Sequence, residues 1–238
     1  MTGLKLSLKN RLLNALPTDE FAQLSPHLSL VELERGRLLY DPGDRIETVY
    51  FPHDCVISLM TLMGNGAAIE SAAVGREGAV GLMAAVAPRV SLSRVIVQTP
   101  GVASRIGANL LHDFSARVPT LRNLIDRHNE ALFGHAIQSV ACNALHAVEA
   151  RFCRWLLSCD DRIDTNTVHL TQEFLADMLG VQRTTVTAVA GSLQNKGLIR
   201  YRRGVVDILD RAGLEAMTCE CYGAVRRGYE RLLPTPFG

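Results

Sequence analysis

The chain has 238 residues, is 47% hydrophobic, and balances 25 Lys and Arg against 24 Asp and Glu for a formal charge of +1. That is enough apolar sequence for two packed domains, which excludes a disordered chain. The near-neutral total excludes a uniformly basic nucleic-acid binder, so any such surface must come from a local concentration of charge.

Lys5, Lys9 and Arg11 interrupt the N-terminal leucines, and no run of about 18 uncharged apolar residues follows, so neither a secretory signal nor a membrane span is expected. The expected location is the cytoplasm. Six cysteines, Cys55, Cys142, Cys153, Cys159, Cys219 and Cys221, sit at irregular spacings and read as free thiols.

"LSLKNRLLNAL" and "PTDEFAQL" predict short helices, the second starting at Pro17 and Thr18. From about Leu28 to Ile106, short runs rich in Val, Ile, Leu and Tyr alternate with turn signals: Asp41-Pro42-Gly43-Asp44, Asn65-Gly66, Gly75 and Pro100-Gly101. This spacing predicts a β-sandwich, roll or barrel, with a tight hairpin at Asn65-Gly66. Within it, "VGREGAVGL" (Val74 to Leu82) sets Gly75, Gly78 and Gly81 around an Arg-Glu pair, a turn in which backbone N–H groups could approach a phosphate.

From Leu110 to about Ala150 the turn residues almost vanish, and one long helix is predicted. Its apolar repeat suggests a dimer interface through Leu121, Leu124, Ile125, His128, Leu132 and His135. His128, His135 and Cys142 recur every seven residues. They read first as polar breaks setting helix register, with a metal or pH-sensitive layer as the alternative. No metal site is assigned. Cys219-Glu220-Cys221 is expected on a helix, where residues two apart diverge and chelate poorly.

After a polar break, "LTQEFLADMLGVQRTTVTAVAGSLQNKGLIRYRRGVVDIL" predicts a helix-turn-helix and a β wing. Thr171 caps a helix whose Phe174, Leu175, Met178 and Leu179 share a face, and Gly180 ends it. In the second helix Val186, Val189, Ala190 and Leu193 face inward, leaving small residues outside. No acidic residue occurs between Asp177 and Asp207, a window holding Arg183, Lys196, Arg200, Arg202 and Arg203. The predicted DNA contacts are Thr171, Gln172, Gln182, Arg183, Thr184, Thr185, Thr187, Arg202 and Arg203.

Taken with "YDPGD" and the glycine turn, the helix-turn-helix segment resembles the Crp/Fnr superfamily of transcription regulators over nearly the whole chain. The resemblance implies an α+β protein: a cyclic-nucleotide-binding-like β-roll (jelly roll) with N-terminal helices over 1–112, a dimerisation helix over 113–148, and a winged helix-turn-helix over 149–238. It implies a homodimer on a palindromic operator in double-stranded DNA, with RNA polymerase as a candidate further partner and no membrane. The family's Ser-Arg-Glu-Thr-Val pattern falls on Gln182 to Val186, which keeps Arg183 as a base-contact candidate but puts Thr184 in place of the glutamate. A second family arginine falls at Ala188, so operator preference should differ from that of the cyclic-AMP receptor.

Carried over from the family, an effector pocket would involve Gly78, Ala79, Val80, Ser91 and Leu92. Ala79 falls where the family has a glutamate, and Ser91-Leu92 where it has an Arg-Ser pair; Glu77 and Arg94 stand nearby. Cyclic AMP is therefore not expected. No cysteine precedes Cys55, so the family's iron–sulfur pattern is absent, whereas haem or a metal stays open and the effector unknown. With only His53 as histidine in the β region and no nucleophile elbow, Walker loop or zinc-protease motif, no enzyme is expected. The alternative function is a dimeric scaffold whose winged helix contacts protein instead of DNA.

Overall fold

The computed structural model describes residues 9–85 and 90–233, so the start of the first predicted helix, with Lys5, lies outside the described residues. Helix α1 (Arg11–Asn14) is capped by Asn10, whose side chain accepts from the Leu13 N–H at 3.1 Å. Helix α2 (Thr18–Leu24) begins directly after Pro17, whose fixed φ suits a helix entrance.

Seven strands follow: β1 (Ser29–Leu33), β2 (Leu38–Tyr40), β3 (Thr48–Pro52), β4 (Val56–Leu62), β5 (Ala68–Val74), β6 (Arg94–Thr99) and β7 (Gly101–Gly107). They form two antiparallel sheets, ordered β1-β7-β3 and β2-β6-β4-β5. The β4–β5 hairpin turns at Asn65-Gly66, where Gly66 takes φ +87° as the sequence predicts. Leu33, Phe51 and Ile106 from the first sheet share one core with Ile57, Val74 and Val97 from the second. This is the expected β-roll.

Most of the span 113–148 expected as one helix is α4 (Pro119–Leu145), with the end of α3 (Ala108–Arg117) before it and α5 (Val148–Asp160) starting at its last residue. Val118 is extended (φ −116°, ψ 93°) because the residue before a proline is disfavoured in the α region, and His146 (φ −105°, ψ 145°) makes the second break. With 27 residues, α4 is about 40 Å long.

Leu121, Leu124 and Ile125 are buried in the β-roll core, Leu132 packs against it, and His128 and His135 are buried as well. Five of the six residues predicted to meet a partner are therefore buried within the chain itself, and Leu132 is half-buried. The apolar side chains that α4 exposes are Phe133 (67%), Ile137 (55%), Val140 (71%) and Leu145 (78%). An amphipathic repeat reports that a helix has an apolar stripe, not which body covers it.

The last third contains β8 (Thr167–His169), α6 (Gln172–Leu179), α7 (Arg183–Asn195), β9 (Ile199–Arg202), β10 (Val205–Ile208), α8 (Arg211–Met217) and α9 (Cys221–Leu232). Three strands, ordered β8-β10-β9, make the wing sheet; β8 was hidden in the polar break after α5. A second core holds Phe152, Leu156, Leu157, Val168, Leu175, Val186, Leu193, Val206 and Leu214. Helix α9 then returns to α4, and its Tyr229 joins the first core, with ring centroids 6.4 Å from His128 and 6.1 Å from His135. No helix among the described residues is long and apolar enough to cross a membrane.

Candidate nucleic-acid interface

The helix-turn-helix forms for local reasons. The Thr171 hydroxyl accepts from the Phe174 N–H at 3.2 Å and starts α6, while Gly180 ends it in the left-handed region at φ +61°. A Cβ on Gly180 would stand 2.7 Å from Ile69 Cδ1 of β5, where the motif docks on the β-roll. Val186, Ala190 and Leu193 of α7 are buried and Val189 partly so. The opposite face presents Gln182, Arg183, Thr184, Thr187 and Ala188 to solvent, while Thr185 is half-buried.

Arg183, Gln172 and Thr187 form one polar cluster. Arg183 Nε donates to Gln172 Oε1 at 3.4 Å, and the Thr187 hydroxyl lies 3.1 Å from both Gln172 Oε1 and the Arg183 carbonyl, which share its one proton. Thr171, Gln172, Arg183, Tyr201, Arg203 and Gly204 line a shallow hollow between the α7 N-terminus and the wing. Tyr201 and Gly204 were not predicted; a tyrosine two residues before an Arg-Gly turn is the signal that could have found them. The Tyr201 hydroxyl donates to the Leu170 carbonyl at 2.9 Å, and burial pushes its phenol up, so it remains a neutral donor.

Arg203 and Gly204, at φ +48° and +76°, make the tight wing turn, and Arg203 is the one non-glycine with positive φ among the described residues. That conformation sets a cationic side chain at the wing tip at a backbone cost, a pattern found where strain serves a site. Arg200 and Arg202 are exposed, and strand alternation puts both on the side of β9 opposite Ile199 and Tyr201. Arg202 is therefore separated from the hollow, unlike Arg203. The positive window is also weaker than its composition suggests, because Lys196 pairs with Glu149 at 3.0 Å.

The glycine turn packs closely against other parts of the chain. A Cβ on Gly75 would lie 2.7 Å from the Arg162 side chain, and one on Gly78 would lie 2.1 Å from His128 Nε2. The Gly78 carbonyl accepts from Asn10 Nδ2 at 2.7 Å, and the Ala79 N–H donates to His128 Nε2 at 3.3 Å. Val80 exchanges backbone hydrogen bonds with Tyr50. Ser91 bonds the Asp44 carbonyl through its N–H, whereas Leu92 is 88% exposed. The five residues carried over as an effector pocket are thus committed to backbone packing or to solvent.

The two charged neighbours are committed as well. Glu77 forms a buried salt bridge with Arg162 at 2.7 Å, and Arg94 pairs with Asp41 at 2.6 Å. Burial pushes His128 down to about 4, which keeps its ring neutral and able to accept the Ala79 N–H. His128, His135 and Cys142 do not act as one layered set: both histidines pack against Tyr229, while Cys142 touches Cys219.

A family model for the Crp-like helix-turn-helix domain matches residues 150–217. No curated protein matches the chain. Among solved structures, FixK2 from Bradyrhizobium japonicum is 14% identical, with 81% of this chain and 98% of that one covered and a TM-score of 0.69. CLP, the c-di-GMP-responsive global regulator of Xanthomonas campestris, is 16% identical over 81% and 99% at a TM-score of 0.64. TTHB099, a CRP-family transcriptional regulator from Thermus thermophilus, is 21% identical over 79% and 95% at 0.63. The chain has the fold of the Crp/Fnr regulators, and its residues 150–217 match their Crp-like helix-turn-helix domain.

Proposed function

We propose that the chain is a sequence-specific DNA-binding transcription regulator of the Crp/Fnr type, acting as a homodimer on a palindromic operator and without cyclic AMP as effector. The observation that carries the reading is the hollow in which Arg183, at the start of α7, is braced by Gln172 and faces Arg203 at the wing tip. A helix with small outer residues enters a major groove, its N-terminal side chains reach base edges, and a cationic wing meets phosphate. Arg183 is the base-reading group; Gln182, Thr184 and Thr187 are its neighbours in the groove; Arg203, with Arg202 on the outer side of the wing, contacts backbone.

The exposed stripe Phe133, Ile137, Val140 and Leu145 supports self-association along the C-terminal half of α4, which sets two α7 helices about 34 Å apart on successive major grooves. The commitment of Gly78, Ala79 and Glu77 to His128 and Arg162 argues against a cyclic phosphate in the turn. Regulation through RNA polymerase and a cytoplasmic location follow from the same reading.

Selection of duplexes from a random pool, followed by fluorescence anisotropy across salt concentrations, tests it. A selected palindrome bound more tightly than random DNA, with affinity falling as salt rises, supports the proposal. Failure to enrich any sequence refutes it.

A further inference from the structure

Four metal-binding side chains meet where α4 ends and α9 begins. Cys142 and His146 lie four residues apart, on one side of the last turn of α4, and Cys219 and Cys221 flank the turn between α8 and α9. Their ligand atoms all lie within 4.8 Å of one another. Cys142 Sγ is 3.5 Å from Cys219 Sγ, and Cys221 Sγ is 3.5 Å from His146 Nδ1. The objection that a Cys-x-Cys pair diverges on a helix does not apply. Cys219 precedes the helix, Glu220 occupies its cap position, and Cys221 is its first residue.

We propose that Cys142, His146, Cys219 and Cys221 bind one zinc-class divalent ion in a closed tetrahedral site that ties the end of α4 to the α8–α9 turn. Bonds of about 2.3 Å to sulfur and about 2.0 Å to nitrogen require ligand atoms roughly 3.5 to 3.8 Å apart in a tetrahedron. The two measured separations of 3.5 Å already meet that spacing, and the 4.8 Å limit leaves only rotamer adjustment. Three sulfurs and one imidazole favour zinc over magnesium or calcium, and four protein ligands leave no open position, so the role is structural.

The surroundings match a bound ion. His146 offers Nδ1 to the site while Nε2 lies 3.2 Å from Glu220 Oε1, the carboxylate–histidine–metal arrangement that fixes the ring tautomer. Gln138 Nε2 donates to Cys221 Sγ at 3.0 Å, a contact that favours thiolate over thiol. Three thiolates and one divalent ion leave a net negative charge. Opposite it stand Arg151 and Arg154, 6% and 8% exposed, each with an Nε lacking a hydrogen-bond partner. Arg154 favours the Cys142 thiolate electrostatically, against burial, which pushes the thiol up.

The test uses the full chain, reduced and stripped by chelator, titrated with cobalt(II) and then zinc. The expected result is one cobalt per chain, with thiolate-to-cobalt charge transfer and intense tetrahedral d–d bands, displaced by one equivalent of zinc. Cys219→Ser/Cys221→Ser should abolish the bands, and Glu220→Gln should weaken binding about 10- to 100-fold. The Glu220 side chain is 75% exposed, so that variant decides the matter even where the double variant does not fold. Absence of stoichiometric cobalt binding by the reduced chain, unchanged affinity in the variants, or isolation as a Cys142–Cys219 disulfide without metal would overturn the proposal. None of these measurements involves DNA, so failure here leaves the regulatory reading standing.

Discussion

Removing the Glu77 carboxylate should destabilise the chain by about 3 to 5 kcal/mol, because it leaves the Arg162 guanidinium buried without its counter-charge. Both side chains are 2% exposed, and Glu77 Oε1 accepts from Arg162 Nε at 2.7 Å and from the Gly75 N–H at 3.1 Å. For a chain of this size, about 2 to 4 °C per kcal/mol converts the loss in Glu77→Ala to a fall in Tm of roughly 6 to 20 °C. Urea unfolding followed by the fluorescence of Trp155, the sole tryptophan, measures it directly. Glu77→Leu/Arg162→Met should recover more than half of the loss, since replacing a buried ion pair by apolar groups costs far less than orphaning one member. A loss below about 1 kcal/mol in Glu77→Ala would refute the reasoning, as would a double variant that loses the sum of the two singles.

Protonation gives a second measurable effect. The folded chain holds His128 at about 4 against 6.5 for a free histidine, so stability is full above pH 6.5 and falls by roughly 3 kcal/mol as pH drops to 4. His128→Gln should flatten the urea midpoint between pH 7 and pH 5, and an unchanged slope would show that this ring does not titrate on unfolding. Arg183→Ala should cost about 1 to 3 kcal/mol on a selected operator and little on random DNA; equal losses would make it a phosphate contact. Arg203→Asn should raise Tm by relieving the left-handed arginine, yet lower the salt slope of DNA binding by about 1 per protomer. A stabilised variant with unaltered slope would remove Arg203 from the interface. Val140→Asp should yield monomers in sedimentation equilibrium, and an intact dimer would move the interface off the exposed stripe of α4.

The features legible in the sequence are those set by neighbours in the chain. Asn65-Gly66 makes its hairpin, Thr171 caps α6, Gly180 ends it, and α7 buries the face its apolar spacing names. The break before Pro119 follows the same local rule, since a proline disfavours the helical region for the residue before it. Partners distant in sequence were not legible. Glu77 meets Arg162 from 85 residues away, and Cys142 meets Cys219 from 77. Lys196 counted as free cationic charge until Glu149, outside its window, proved to neutralise it. Which stripe of α4 the β-roll and α9 cover was not legible for the same reason: the stripes can be told apart only once those bodies are in place.

The return of α9 to α4 has a mechanical consequence. The winged helix leaves the first core through α5, comes back to it through Tyr229, and also rests on the β-roll where Gly180 meets Ile69 and Arg162 meets Glu77, so it is held at several places instead of swinging from one linker. A change in the tilt of α7 relative to the β-roll therefore has to shift the Tyr229, Ile69 and Arg162 contacts together.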